Sequence, residues 1–180
     1  LLGSLRPAYD RLEFNLAEKQ VQKAIARAYQ KDETEVKSLY KKRGDLGIVA
    51  EELDSKKNSI LKVNKVFKRL EKIALDEGVG SQERKLAGLA ELLVELDSLS
   101  VRYVVRMVLG KLRLGFSHKT ILDAVSWMVE GDKSAKKQLE LAYQVRPDVG
   151  WLVQQVRKRG IKKTVAGAQI ELGVPIAPML

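Results

Sequence analysis

The residues best suited to chemistry lie between Val101 and Val125, in Gly110-Lys111-Leu112-Arg113-Leu114-Gly115. Two glycines bracket two cations and two leucines. Lysine and arginine neutralise phosphates, and free backbone N–H groups at a helix start donate to them. The glycines let a ligand come close to the main chain, and Leu112 and Leu114 can turn inward and stiffen the connector. Arg102 and Arg106 stand four residues apart upstream, where both could point at one partner, and Lys119 follows. Such a set suits a phosphate backbone. By spacing alone, a solvated turn between two core helices is the simpler account, because charge runs usually mark solvent faces.

The flanking pattern must position this connector. Val101, Val104, Val105 and Val108 recur at helical spacing and line one face. Ser117 is an N-cap for a second helix with Ile121, Leu122, Val125 and Met128 on its apolar side. Elsewhere the stripes are also helical. They run over Glu18–Gln30, Thr34–Lys41, an Asp45-capped helix with Ile48, Val49 and Leu53, Ile60–Leu75, and a Ser81-capped helix with Leu86, Leu89, Leu92, Leu93 and Leu96. Asp132 is expected to cap Lys133–Tyr143, and Asp148 to open a helix that Gly160 stops. From Thr164 onward the chain reads as extended, and only Gln169–Ile176 could be a strand. The expected fold is all-α, one domain of about ten helices.

A repeat runs through the pattern. Tyr40-x4-Asp45-Leu46-Gly47 matches Tyr143-x4-Asp148-Val149-Gly150, and Phe14 to Ile25 matches Leu114 to Val125. Two copies of one unit could pack about a pseudo-twofold axis and hold duplex DNA at two mirrored points; a duplication with no symmetric use is the alternative. In each copy the aspartate caps a helix whose first turn carries a glycine, bare enough to admit a phosphate. Close helix packing at the glycine is the competing account. The repeat is broken where Asn15 stands opposite Gly115, which puts an equivalent contact in the first copy in doubt.

Arg157-Lys158-Arg159-Gly160-Ile161-Lys162-Lys163-Thr164 is the densest basic cluster and fits a phosphate contact at a helix end, with a solvated helix end as the alternative. Trp127 and Trp151 fall in helical stripes and read as core rather than base-stacking platforms. The lone histidine, His118, reads as a surface polar residue.

Composition sets outer bounds. The 180 residues carry 33 basic and 23 acidic side chains, a net charge of +10, with 45% hydrophobic residues. That is enough apolar material for a core, and the basic excess favours an anionic partner, nucleic acid or a membrane surface. The absence of cysteine excludes a disulfide framework and a thiolate metal site. One histidine cannot build a histidine metal cluster. No apolar run reaches spanning length, and no signal peptide is visible. Leu1 to Pro7 reads as the end of a helix, so further chain is expected on both sides.

GKLRLGFSHKTILDA resembles the GKLR-[IL]-G signature in the N-terminal DNA-binding domain of ATP-dependent DNA ligases. Leu172-Gly173-Val174-Pro175-Ile176-Ala177-Pro178-Met179-Leu180 resembles the G-x-P-I-x-P-M-L-A tail that leads into the adenylating domain of that family. The resemblance covers nearly the whole chain. It implies a helical DNA-binding domain over 1–172 and a linker over 173–180. It also implies a grip on the minor groove around a nick, in replication and repair, inside a prokaryotic cytoplasm. The implied partners are nicked duplex DNA, the adenylation and OB-fold domains of the same chain, and a sliding clamp. ATP and Mg²⁺ would serve the full-length enzyme, with no cofactor in this segment. No K-x-D-G occurs, so no catalytic residue is assigned here. The DNA-binding candidates are Lys111, Arg113, Gly115 and Lys119, then Gly44, Gly47, Gly150, Lys162, Lys163 and Thr164, with Arg102 and Arg106 behind them. Outside this family, a helical nucleic-acid-binding domain of another repair protein or a helical protein-binding scaffold would fit the same residues.

Overall fold

The computed structural model describes residues 4–7, 9–10 and 12–177. Residues 1–3 and 178–180, part of the expected helix end and part of the tail motif, lie outside them. Among the described residues the fold is all-helical, with nine helices and no strand. They gather into two compact units, one over Leu12–Arg113 and the other from Leu114 onward, so the boundary falls inside the basic connector.

The first unit holds α1 (Glu18–Tyr29), α2 (Glu33–Arg43), α3 (Leu46–Leu53), α4 (Val63–Leu75), α5 (Ser81–Glu95) and α6 (Ser98–Val108). Each forms where apolar residues recur at helical spacing, and the stripes meet in one core. Val21, Ala24 and Ile25 of α1, Val49 and Ala50 of α3, Leu89, Leu92 and Leu93 of α5, and Val101 and Val105 of α6 are buried there. α3 packs most extensively on α6, and α1 on α5. Lys85 is 3% exposed inside this core, and its Nζ donates to the carbonyls of Phe14 (2.9 Å) and Ala74 (3.1 Å). It ties the segment ahead of α1 to the end of α4.

The second unit holds α7 (His118–Glu130), α8 (Lys136–Val145) and α9 (Val149–Ala166) around Leu122, Val125, Leu139, Leu152, Val156 and Ile161. Ser126 sits in it fully buried, its hydroxyl donating to the Asp132 carbonyl and accepting the Ala135 N–H.

The sequence repeat is a structural one within each unit. Helices start at Glu18, Glu33 and Leu46 in the first copy and at His118, Lys136 and Val149 in the second. In each copy all three helices touch one another. Asn15 (φ 52°) holds the left-handed conformation that Gly115 (φ 72°) holds in the matching place. Asparagine is one of the few side chains that tolerates it, so the break in the repeat leaves the backbone path unchanged.

Several expected details differ. Gly160 takes φ 77° and ψ 169°, outside helical values, so it ends the first helical stretch of α9 as expected, but a second stretch follows it to Ala166. Thr164 is therefore helical, not extended. Gln169–Ile176 forms no strand. The fourth helix begins at Val63 rather than Ile60, and Lys136 rather than Lys133 opens α8, because Asp132 makes a turn by accepting the Ser134 N–H. Trp127 and Met128 are 55% and 58% exposed, since Leu122, Val125 and Ser126 define the inward face of α7.

Candidate nucleic-acid interface

In the first unit the site is built on Asp45, the N-cap of α3. Its Oδ1 accepts the N–H groups of Gly47 (2.8 Å) and Ile48 (3.2 Å). Its Oδ2 accepts Arg106 Nε at 3.1 Å and lies 2.9 Å from Arg106 Nη2 and 3.4 Å from Arg113 Nε. Burial pushes the Asp45 carboxyl up. The hydrogen bond from Arg106, those from the Ile48 and Gly47 N–H groups and the Arg106 charge outweigh it and hold the group below the ordinary carboxylate range.

The connector is fastened to this carboxylate. Arg113 Nη2 donates to the Gly44 carbonyl (3.2 Å), and Arg106 Nη1 donates to the Leu112 carbonyl (3.4 Å). Arg113 takes φ 54°, a left-handed conformation that costs a non-glycine residue about 1–2 kcal/mol; the contacts to Asp45 and Gly44 offset that cost. Half of the Arg113 side chain remains exposed, and Lys111 is 64% exposed with only a loose pair to Glu18 at 3.9 Å. These two are the connector cations with half or more of the side chain exposed.

Arg102 and Arg106 are committed inside the protein and do not share a partner. Arg102 Nε lies 2.6 Å from Glu51 Oε2, and Arg106 has 13% of its side chain exposed against Asp45. Gly47 is a packing glycine. A Cβ there would stand 2.6 Å from the Arg102 carbonyl oxygen and 3.0 Å from Arg106 Cγ, so its absence lets α6 approach the start of α3. Gly44 closes α2 at φ 65°, donating its N–H to the Tyr40 carbonyl, with open space where a side chain would be.

In the second unit Gly115 turns at φ 72° in open space, and Lys119 is exposed in the first turn of α7. Ser117 precedes that helix as its N-cap. Gly150 is exposed at the start of α9, where a Cβ would meet only Asp148 Oδ1 at 3.3 Å. Asp148 caps this helix by accepting the Trp151 N–H at 2.8 Å. Arg157, Lys158, Arg159, Lys162 and Lys163 are exposed around the kink, and none forms an ion pair among the described residues. Thr164 is fully buried, and its hydroxyl donates to the Gly160 carbonyl at 2.7 Å; it supports the kink from inside. His118 stacks on Tyr143 at 4.6 Å, and Trp151 packs under the Arg146 guanidinium at 4.4 Å.

The sequence reading passed over a second basic surface in the first unit. Between Asp54 and Lys72 there are seven cations and two acids, and Lys57, Lys62, Lys65, Lys68 and Lys72 are exposed. Charge density alone would have found it; the search for glycine-flanked cations did not. Among the described residues no group of histidine, aspartate and glutamate side chains is placed to hold a metal ion, and no helix is long and apolar enough to cross a membrane.

The first unit is thus a helical scaffold that fastens a basic connector and leaves the side chains of Lys111 and Arg113 half or more exposed. The chain belongs to the DNA ligase N-terminus family, whose model matches residues 1–126. It is 38% identical to DNA ligase 2 of Thermofilum pendens, 38% identical to DNA ligase 1 of Methanosarcina barkeri and 37% identical to the DNA ligase of Aeropyrum pernix, over 99% of its length in each case. It spans 32% of each of those relatives, about a third of their length.

Proposed function

We propose that this chain is the part of an ATP-dependent DNA ligase that grips duplex DNA around a nick, over residues 1–172, ahead of a linker at 173–180. Its contacts go mainly to phosphate and sugar, because an enzyme that seals any nick must accept any sequence. Both units supply cations: Lys111 and Arg113 from the first, Lys119, Lys162 and Lys163 from the second. Nick sealing itself, with ATP and Mg²⁺, belongs to the adenylation and OB-fold domains of the full-length enzyme. A sliding clamp that brings the enzyme to its substrate and a prokaryotic, nucleoid-associated location complete this reading.

The observation that carries it is the connector itself. Lys111 and Arg113 are 64% and 51% exposed, while the backbone between them is fixed to buried Asp45 through Arg106 and Arg113. A rigid backbone presenting free cations suits a regular phosphate chain better than a flexible acidic peptide.

The test is charge reversal at both connector cations, Lys111→Glu with Arg113→Glu, in the 180-residue chain. Binding to nicked duplex should weaken at least roughly tenfold, with helix content by circular dichroism unchanged. Unaltered affinity in the folded variant rejects the connector as a DNA contact. A parallel titration with an acidic polypeptide separates this function from that of a protein-binding scaffold.

A further inference from the structure

Asp45 does more than a helix cap requires, and the repeat supplies the comparison. Asp148 occupies the same place in the second copy and caps α9 with one backbone bond, to Trp151 N–H; its other partner is the Tyr9 hydroxyl. Asp45 caps α3 with two backbone bonds and takes two guanidinium groups besides. One of these, Arg106, has 13% of its side chain exposed and carries the Leu112 carbonyl on its free edge. The other, Arg113, is anchored on one edge, by Nε to Asp45 and by Nη2 to the Gly44 carbonyl. Its Nη1 has no protein acceptor among the described residues. A guanidinium held along one edge still offers N–H groups to an outside acceptor in a fixed direction, which a free arginine does only after losing rotamer freedom.

Resting on the reading of the connector as a DNA contact, we propose that Asp45 is a positioning residue for DNA binding: its carboxylate holds Arg113 and the connector backbone in the arrangement that meets the phosphates.

The proposal makes a prediction opposite in sign to simple electrostatics. Removing a negative charge close to DNA should tighten binding by lessening repulsion. If Asp45 positions Arg113, the same change releases the guanidinium and weakens binding. Asp45→Asn keeps the size and an oxygen to accept the Gly47 N–H, and removes only the charge that holds the arginines.

The experiment measures binding of the 180-residue chain and its variants to a fluorescein-labelled nicked duplex at several salt concentrations. Asp45→Asn should bind roughly fivefold more weakly than the parent. Asp97→Asn, which alters the cap of α6, a cap that holds no arginine, should leave the affinity unchanged. Arg113→Ala should weaken binding in the parent but have little further effect in the Asp45→Asn background, because the two act as one unit. Asp45→Asn could unfold by stranding the half-buried Arg106, so Arg113→Lys provides a second route at an exposed site. Lysine keeps the charge and loses the fork that reaches Asp45 and Gly44 together, and it should behave nearly like alanine. Tighter or unchanged binding by folded Asp45→Asn, additive effects of Asp45→Asn and Arg113→Ala, or full affinity of Arg113→Lys would each overturn the positioning role while leaving the connector contact standing. Full affinity of Arg113→Ala would remove the connector contact at Arg113 and the positioning role with it.

Discussion

Arg106 on α6 lies 2.9 Å from Asp45 at the start of α3, with 13% and 5% of the two side chains exposed. This pair joins the two helices that pack most extensively in the first unit. Removing one partner of a buried pair leaves the other charge without compensation.

Arg106→Ala should therefore destabilise the first unit by about 3 kcal/mol, measured by denaturant unfolding. Arg102→Ala should cost much less, because Arg102 and Glu51 are 28% and 27% exposed and water can replace either partner. Equal losses at the two arginines would refute the assignment of Arg106 to the core.

Stability should also depend on acid in a definite direction. Asp45 is held below its usual value of 3.8, and so is Asp97, which accepts the Ser100 N–H and hydroxyl. A carboxylate with a depressed folded-state pKa contributes stability that is complete above the unfolded value and is lost as the pH falls through the folded one. Unfolding free energy should stay level from neutral pH down to about 5 and then fall through the carboxylate range. Asp45→Asn should make that fall shallower. An unchanged acid limb in this variant would show that Asp45 is not among the groups responsible.

The two glycines of the repeat should part company. A Cβ at Gly47 meets backbone at 2.6 Å, whereas one at Gly150 meets only a carboxylate oxygen at 3.3 Å. Gly47→Ala should cost about 2–3 kcal/mol through overpacking. Gly150→Ala should be neutral or slightly stabilising, since alanine is the better helix former. If the start of α9 receives a phosphate, Gly150→Ala weakens DNA binding without loss of stability. Thermal unfolding beside duplex titration separates the two effects.

What could be read from the sequence divides along local and tertiary lines. The helices, the aspartate caps at Asp45 and Asp148 and the three-helix repeat rest on spacing within the chain, and the structure contains them. Close packing had been one of two accounts of the repeated glycine; it describes Gly47, while Gly150 is open. Arg102 and Arg106, four apart on a helix, read as a pair that could point at one partner. Only the approach of α3 turns them toward two different acids. Lys85 gave no signal, because a lysine donating to two buried carbonyls looks like any other in sequence. Thr164 was placed in an extended tail beyond the glycine stop, but the chain turns helical again after Gly160 and Thr164 lies in that second stretch.

The exposed cations of the second unit should show their role through salt. Each phosphate neutralised by a protein cation adds about 0.9 to the slope of log affinity against log salt on duplex DNA. Lys162→Ala with Lys163→Ala should lower that slope by nearly two, with no change in melting temperature, because both side chains are exposed. Thr164→Val should act the other way round. Its hydroxyl is buried against the Gly160 carbonyl, so it should affect stability and leave the slope unchanged. A lost slope in Thr164→Val, or an unchanged one in the double lysine variant, would reverse the assignment.

The last expectation concerns reactivity. Adenylation of a ligase of this kind needs a lysine nucleophile in a K-x-D-G setting, and that string is absent from the 180 residues. Among the described residues the one buried lysine is Lys85, and its Nζ is already bound to two carbonyls. The connector lysine, Lys111, is exposed and pairs loosely with Glu18 at 3.9 Å. Binding energy from such a segment can still raise turnover, because it keeps the nick oriented while other domains react. Incubated with labelled ATP and magnesium, the chain should form no covalent nucleotide adduct. Added in trans to the remaining domains of a ligase that lacks this segment, it should raise nick sealing, and the Lys111→Glu, Arg113→Glu variant should not. Covalent labelling of the isolated chain would overturn the non-catalytic assignment. Equal rescue by the charge-reversed variant would detach the effect from the DNA contact.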